Sequence, residues 1–142
     1  MESMPPTEWR AFLLSGTGTA KLATVRADGR PHVAPVWFDL DRDALLFMTS
    51  KDTVKGQNIL RDPRVRLSVD DENPPFAFVL IDGAAVASEL PPDELLPWST
   101  RIARRYMGAE LAEAYGKRNA VAGELLVRVP LEKMVAHKGI AD

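Results

Sequence analysis

The apolar positions of this chain follow two periods, and the switches between them mark its elements. After Pro5-Pro6, Thr7 stands as an N-cap, and Trp9, Phe12 and Leu13 recur at helical spacing until Ser15-Gly16. This predicts a short N-terminal helix. From Ala20 to Arg26 the residues alternate toward Leu22, Thr24 and Val25. Ala27-Asp28-Gly29-Arg30 then supplies the Asp-Gly pair of a tight hairpin, with Pro31 to Leu40 as the return strand. A turn at Asp41-Arg42-Asp43 leads into the apolar run Ala44 to Thr49, so the first three strands read as an antiparallel meander. Asp52 to Leu60 predicts a short helix, closed by Arg61-Asp62-Pro63 because proline disfavours helical geometry in the residue before it. Arg64 to Val69 alternates as a strand with one wet face, and Asp70 to Pro75 is a polar, proline-rich loop. Phe76 to Ile81 and Ala84 to Leu90 form one long strand, or two bent at Asp82-Gly83. Pro91-Pro92 opens the longest helix, about Asp93 to Tyr115, and strands at Glu124 to Val129 and Glu132 to His137 follow.

Six or seven strands with helices inserted among them lack the regular alternation of a doubly wound sheet. The fold class is therefore mainly β, a small antiparallel barrel. Pro35, inside the strand-like Val33 to Phe38, removes a ladder donor and belongs at an edge, a bulge or a split in that barrel, where a ligand can reach backbone. At 142 residues, 46% of them apolar, the chain suffices for one core, and residues 1–142 are read as a single domain.

Charge and composition narrow the function. Eighteen Lys and Arg against twenty Asp and Glu give a net charge of −2 with no single-sign block, which argues against nucleic-acid binding. With no cysteine there is no disulfide, thiolate nucleophile or thiolate metal site, and a cytoplasmic location is expected. His32 and His137 are too few for a histidine metal centre, and neither has a sequence partner for a nucleophilic triad. No metal ligand and no catalytic side chain is expected. The opening Met1 to Pro6 lacks the features of a signal peptide, and no run approaches the ~18 apolar residues of a membrane span.

Two segments invite a phosphate. Gly16-Thr17-Gly18-Thr19-Ala20-Lys21 imitates a glycine-rich loop, but a helix precedes it and a strand follows, the reverse of what such loops need, so it reads as a connector. Phe47 to Asn58 is more informative: a strand ends in Thr49 and Ser50, a helix begins, and Lys51 and Lys55 are spaced to lean to one side of its first turn. Free amides, hydroxyls and two ammonium groups there make an anion pocket. The alternative is that Asp52 or Thr53 merely caps the helix and the lysines are solvated. Trp37 and Trp98 either wall a planar ligand or serve as core or interface residues.

Three stretches in order, Ala23 to Pro31, Phe47-x-Thr49-x-x-x-Thr53-x-Lys55, and Asn58-x-x-Arg61-Asp62-Pro63-Arg64-Val65, resemble the pyridoxamine 5′-phosphate oxidase-like split-barrel superfamily of flavin and deazaflavin proteins. That resemblance implies a six-stranded antiparallel split β-barrel in a homodimer, with cofactor sites at the subunit interface. It implies that Thr49, Thr53 and Lys55 bind the cofactor phosphate and that the backbone of Pro35, Val36 and Trp37 lies against the ring; Ser50, from the anion-pocket reading, and Lys51, placed toward the cofactor's acidic tail, complete the expected cofactor-binding set. Asn58 falls at a recurrent position near the cofactor, in a binding or structural role. Pyridoxamine-phosphate oxidases carry basic residues on the strand that here reads Val33-Ala34-Pro35-Val36-Trp37-Phe38, so vitamin B6 oxidation is not expected. The chain is more similar to the branch that uses the deazaflavin coenzyme F420, the FDOR-B type. That implies an F420-dependent reductase passing a hydride to an unsaturated or conjugated small molecule. An FMN-dependent reductase or oxidase of the same fold and a non-catalytic F420 carrier are the alternatives. Arg101, Arg104 and Arg105, on one face of the long helix, either meet the acidic tail of F420 or form a solvated surface balanced by Glu110 and Glu113.

Overall fold

The computed structural model describes residues 1–142. In chain order its elements are β1 (Glu2–Ser3), α1 (Pro6–Leu14), β2 (Ala20–Val25), β3 (Pro31–Val36), β4 (Phe38–Asp41) and β5 (Ala44–Ser50). They continue with α2 (Val54–Arg61), β6 (Arg64–Asp71), β7 (Ala77–Ala84) and β8 (Val86–Glu89). The chain ends with α3 (Pro92–Met107), α4 (Ala112–Asn119), β9 (Glu124–Pro130) and β10 (Lys133–Lys138). One sheet runs β1-β10-β7-β6-β2-β3 and the other β4-β5-β9-β8, antiparallel throughout.

Two strands foreseen as continuous each change sheet at a corner. The return strand Pro31 to Leu40 breaks at Trp37, with β3 in the first sheet and β4 in the second. The later bend falls at Ala85, not at Asp82-Gly83, and the Ala85 N–H leaves the ladder to bond Pro63 O at 2.8 Å. These corners close two sheets into a split barrel around one core, which includes Leu22, Phe38, Phe47, Leu67, Ile81 and Val127. β3 is the free edge of its sheet, and Pro35 sits on it one residue from its end. An edge strand is where a missing N–H costs least.

The helices depart further from the sequence reading. Helix α1 begins behind Pro5, whose carbonyl accepts from Glu8 N and Trp9 N, so Thr7 lies inside the helix rather than capping it. The foreseen helix from Asp93 to Tyr115 is two helices. Gly108, at φ +84°, ends α3, and α4 folds back along it. Gly116 allows that approach: a Cβ there would lie 2.2 Å from Thr100 Oγ1, while Ser99 donates to Gly116 O at 2.9 Å. Beyond the break the apolar pattern fails, since Leu111 is 46% exposed and α4 buries only Ala112 and Gly116. No helix is long and apolar enough to cross a membrane.

Candidate functional site

The β5–α2 turn is built around Thr53. Its Oγ1 donates to Ser50 O at 2.8 Å and accepts from Gly56 N at 3.0 Å, capping α2, and it lies 2.8 Å from Thr49 Oγ1. The turn is so tight that a Cβ on Gly56 would stand 2.2 Å from Ser50 O. Ser50 uses its own hydroxyl to accept from Asp52 N at 3.2 Å. Of the two helix-start alternatives, capping by Thr53 is real, and it leaves the question of the lysines.

The lysines do not share a face. Lys51 precedes the helix and reaches away to Glu89 on β8, 3.2 Å off. Lys55 takes part in none of the chain's ion pairs. It lines a cavity of about 220 Å³ in the split between the sheets, opposite Pro35, Val36 and Trp37. Met48 and Ile102 add apolar wall, and Ser99, Asn119 and Glu124 add polar groups. Spacing on a helix could not distinguish the two lysines, because four residues apart they share a side only if both are helical.

Asn58 is absorbed by the fold. Buried at the base of α2, it donates through Nδ2 to Thr24 Oγ1 at 3.0 Å and accepts from Arg61 Nη2 at 3.0 Å, while Arg61 also holds Val25 O. Both ends of its amide tie α2 to β2, so of its two readings the structural one accounts for every contact it makes.

Trp37, at the corner, stacks on Tyr106 of α3 with centroids 5.0 Å apart and planes within 3°. Tyr106 is itself pinned, donating to Gly18 O at 3.1 Å and accepting from Phe38 N at 3.2 Å, and burial pushes its hydroxyl pKa up. One face of Trp37 is thus occupied and its orientation set. Trp98 is clamped between Arg101 and Arg128, whose guanidinium carbons lie 5.2 and 5.0 Å from its ring. It serves the fold.

Two of the three arginines of that face have partners within the fold. Arg101 donates to Leu40 O at 2.9 Å and pairs with Asp39 and Asp41, and Arg105 donates to Phe38 O and to Leu13 O. They fasten α3 to β4, and only Arg104 stays free at the surface.

Sequence reading passed over Ser99, Asn119 and Glu124. Glu124 Oε2 is buried without a hydrogen-bond partner. Burial raises its pKa and the nearby Lys55 pulls it back. No local motif marks these positions; Ser99 and Ile102 share a helical face, but its partner surface is set by tertiary packing.

The fold is a two-sheet split barrel, and its split holds a cavity on which one cation, Lys55, one carboxylate, Glu124, and the end of β3 come together. Residues 5–130 match the pyridoxamine 5′-phosphate oxidase family, and the chain belongs to it. It is 29% identical, over 96% of its own length and 98% of the relative's, to the 5a,11a-dehydrotetracycline/5a,11a-dehydrooxytetracycline reductase of Streptomyces rimosus subsp. rimosus. The solved structure of an F420 reductase superposes with a TM-score of 0.69 at 26% identity, over 87% of this chain and 93% of that one. A conserved hypothetical protein of Mycobacterium tuberculosis superposes at 0.82 over 96% and 86%, and at 24% identity that likeness concerns the fold alone.

Proposed function

We propose that this protein is an oxidoreductase that uses reduced coenzyme F420 to reduce an unsaturated or conjugated small molecule. The observation that carries the reading is Lys55, a lysine without an ion-pair partner on a cavity whose other wall is Pro35 to Trp37. An unpaired ammonium on a half-enclosed cavity fits a phosphate, and a flat strand end backed by a stacked Trp37–Tyr106 pair fits a planar ring. The two reductases among its relatives, one of them an F420 reductase, support the same class.

When bound in its reduced form, the deazaflavin supplies the hydride. The protein's own work is placement. Lys55 would anchor the phosphate; Thr49 and Ser50 build the turn that carries it, and Lys51, held by Glu89 off the cavity, would lend only diffuse charge. Thr53 contributes through the turn it caps. Pro35 and Val36 present backbone to one ring face, and Trp37, immobilised by Tyr106, closes the end of the cavity against water. The reading includes a homodimer in which the free edge of β3 faces the partner, since that edge leaves Val33 64% exposed.

FMN is the second candidate cofactor, favoured by the family to which the chain belongs. Titrating cofactor-free protein with F420 and with FMN ranks the two, and tighter F420 binding is expected. A protein that purifies yellow with stoichiometric FMN reverses the order. Single-turnover oxidation of the bound, reduced deazaflavin by a panel of enones and quinones is expected to proceed. Binding without turnover for every acceptor would instead make the protein a carrier.

A further inference from the structure

Glu124 is the one acidic group on the cavity and Lys55 the one basic group; the other lining residues are neutral. Glu124 enters from the first residue of β9, paired across the ladder with Ser50, where the phosphate turn begins. Its Oε2 is buried and accepts no hydrogen bond. A half-buried carboxylate oxygen with no hydrogen-bond donor, offset only by the charge of the nearby Lys55, is costly to the fold and calls for a use. Placed beside the anchoring lysine, it acts on whatever anion that lysine holds.

We infer that Glu124 selects the cofactor by the charge of its phosphate, admitting a singly charged phosphodiester and disfavouring a doubly charged phosphomonoester. This rests on the reading of Lys55 as the phosphate anchor. The physical reason is a difference in scaling. Attraction to Lys55 and repulsion from Glu124 both grow in proportion to the ligand's charge, so an ionised Glu124 cancels much of the gain that Lys55 provides. The cost of taking the anion out of water grows with the square of the charge and is left uncompensated. The dianion bears about four times that cost. Coenzyme F420 joins its polyol chain to its tail through a phosphodiester, whereas FMN ends in a monoester carrying close to two charges above its second pKa of about 6. Burial raises the Glu124 pKa, in keeping with a carboxyl left without a partner.

The test uses cofactor-free, full-length protein at about pH 8, where the monoester is a dianion. Affinities for FMN, F420 and the phosphate-free riboflavin are measured by fluorescence for the parent, Glu124→Gln, Glu124→Ala and Lys55→Ala. Because the repulsion removed is proportional to the charge of the phosphate facing Glu124, both Glu124 variants should gain about three- to tenfold for F420 and about ten- to a hundredfold for FMN. Riboflavin should not change. The alanine variant excludes a new hydrogen bond from glutamine as the cause, and thermal melting verifies that each variant is folded. Equal gains for FMN and F420, no gain, or a loss would overturn the role of Glu124 while Lys55→Ala still weakens both phosphates. If Lys55→Ala leaves both affinities unchanged, the phosphate anchor is elsewhere and the proposal falls with it.

Discussion

Within the β5–α2 turn, two residues two positions apart do different work. Thr53 carries three hydrogen bonds that hold the turn together, whereas Lys55 carries none of the fold's ion pairs and faces the cavity. Thr53→Ala should therefore lower stability by about 0.5–2 kcal/mol, read from denaturant midpoints. Lys55→Ala should change stability by less than about 0.5 kcal/mol but weaken cofactor binding by about 1.5–3 kcal/mol, roughly ten- to a hundredfold. Lys51→Ala should do less, because its ammonium is engaged with Glu89 at the exposed surface, off the cavity. Equal losses of affinity at Lys51 and Lys55 would contradict that division. Glu124 adds a pH signature. Its folded-state pKa lies above the ordinary 4.5. A raised carboxyl pKa contributes stability below the unfolded value, and that contribution is lost as pH rises through the folded one. Glu124→Gln should thus melt above the parent at neutral pH, with the difference shrinking as the pH falls toward 4.5. A pH-independent difference in melting temperature would assign the effect to packing instead.

Helix α3 is attached to the barrel by guanidinium groups as well as by apolar packing. Arg105 satisfies carbonyls from two separate segments, Leu13 at the end of α1 and Phe38 in β4, while its guanidinium lies 4.7 Å from the Phe38 ring centroid. Arg105→Ala would leave those partly buried acceptors without their donor, and a loss of about 1–3 kcal/mol is expected. Arg104→Ala, at the exposed surface of the same helix, should stay within about 0.5 kcal/mol. Cofactor affinity separates this role from capture of an acidic tail. If Arg105→Ala loosens α3, Tyr106 and hence Trp37 lose their fixed orientation, and affinities for riboflavin and F420 should fall together. A loss confined to F420 and dependent on its tail would restore the tail-binding reading.

For the whole molecule, the free β3 edge and the apolar side chains beside it bear on assembly. Val33 is 64% exposed on that edge and Val86 60% exposed at the second corner. Unpaired edges of this kind are ordinarily covered or charged. Sedimentation velocity at micromolar concentration should show a dimer, and a monomer at every concentration tested would remove the shared-site element of the proposed function. Val33→Lys puts a charge on the edge and should raise the dimer dissociation constant about tenfold or more, with cofactor affinity falling in parallel if the site spans two subunits.

The mainly β class, the Asp28-Gly29 hairpin, the edge position of Pro35 and the strand-to-helix turn at Thr49 to Lys55 were all legible along the chain. Each is local: alternation, a glycine at φ +88°, a missing donor, and a cap reached within a few residues. Other decisions required the folded barrel. Whether Lys51 or Lys55 faces the cavity depends on Glu89, 38 residues from Lys51. Trp37 is oriented through Tyr106, whose hydroxyl bonds a carbonyl 88 residues away. Sequence alone leaves the arginines of α3 between a tail contact and a solvated stripe because periodicity reports which residues share a face and is silent on whether that face meets water, a ligand or carbonyl oxygens. Glu124 had no local pattern to betray it. Its significance lies in being buried, unpaired and beside Lys55, and that juxtaposition exists only once β9 has paired with β5.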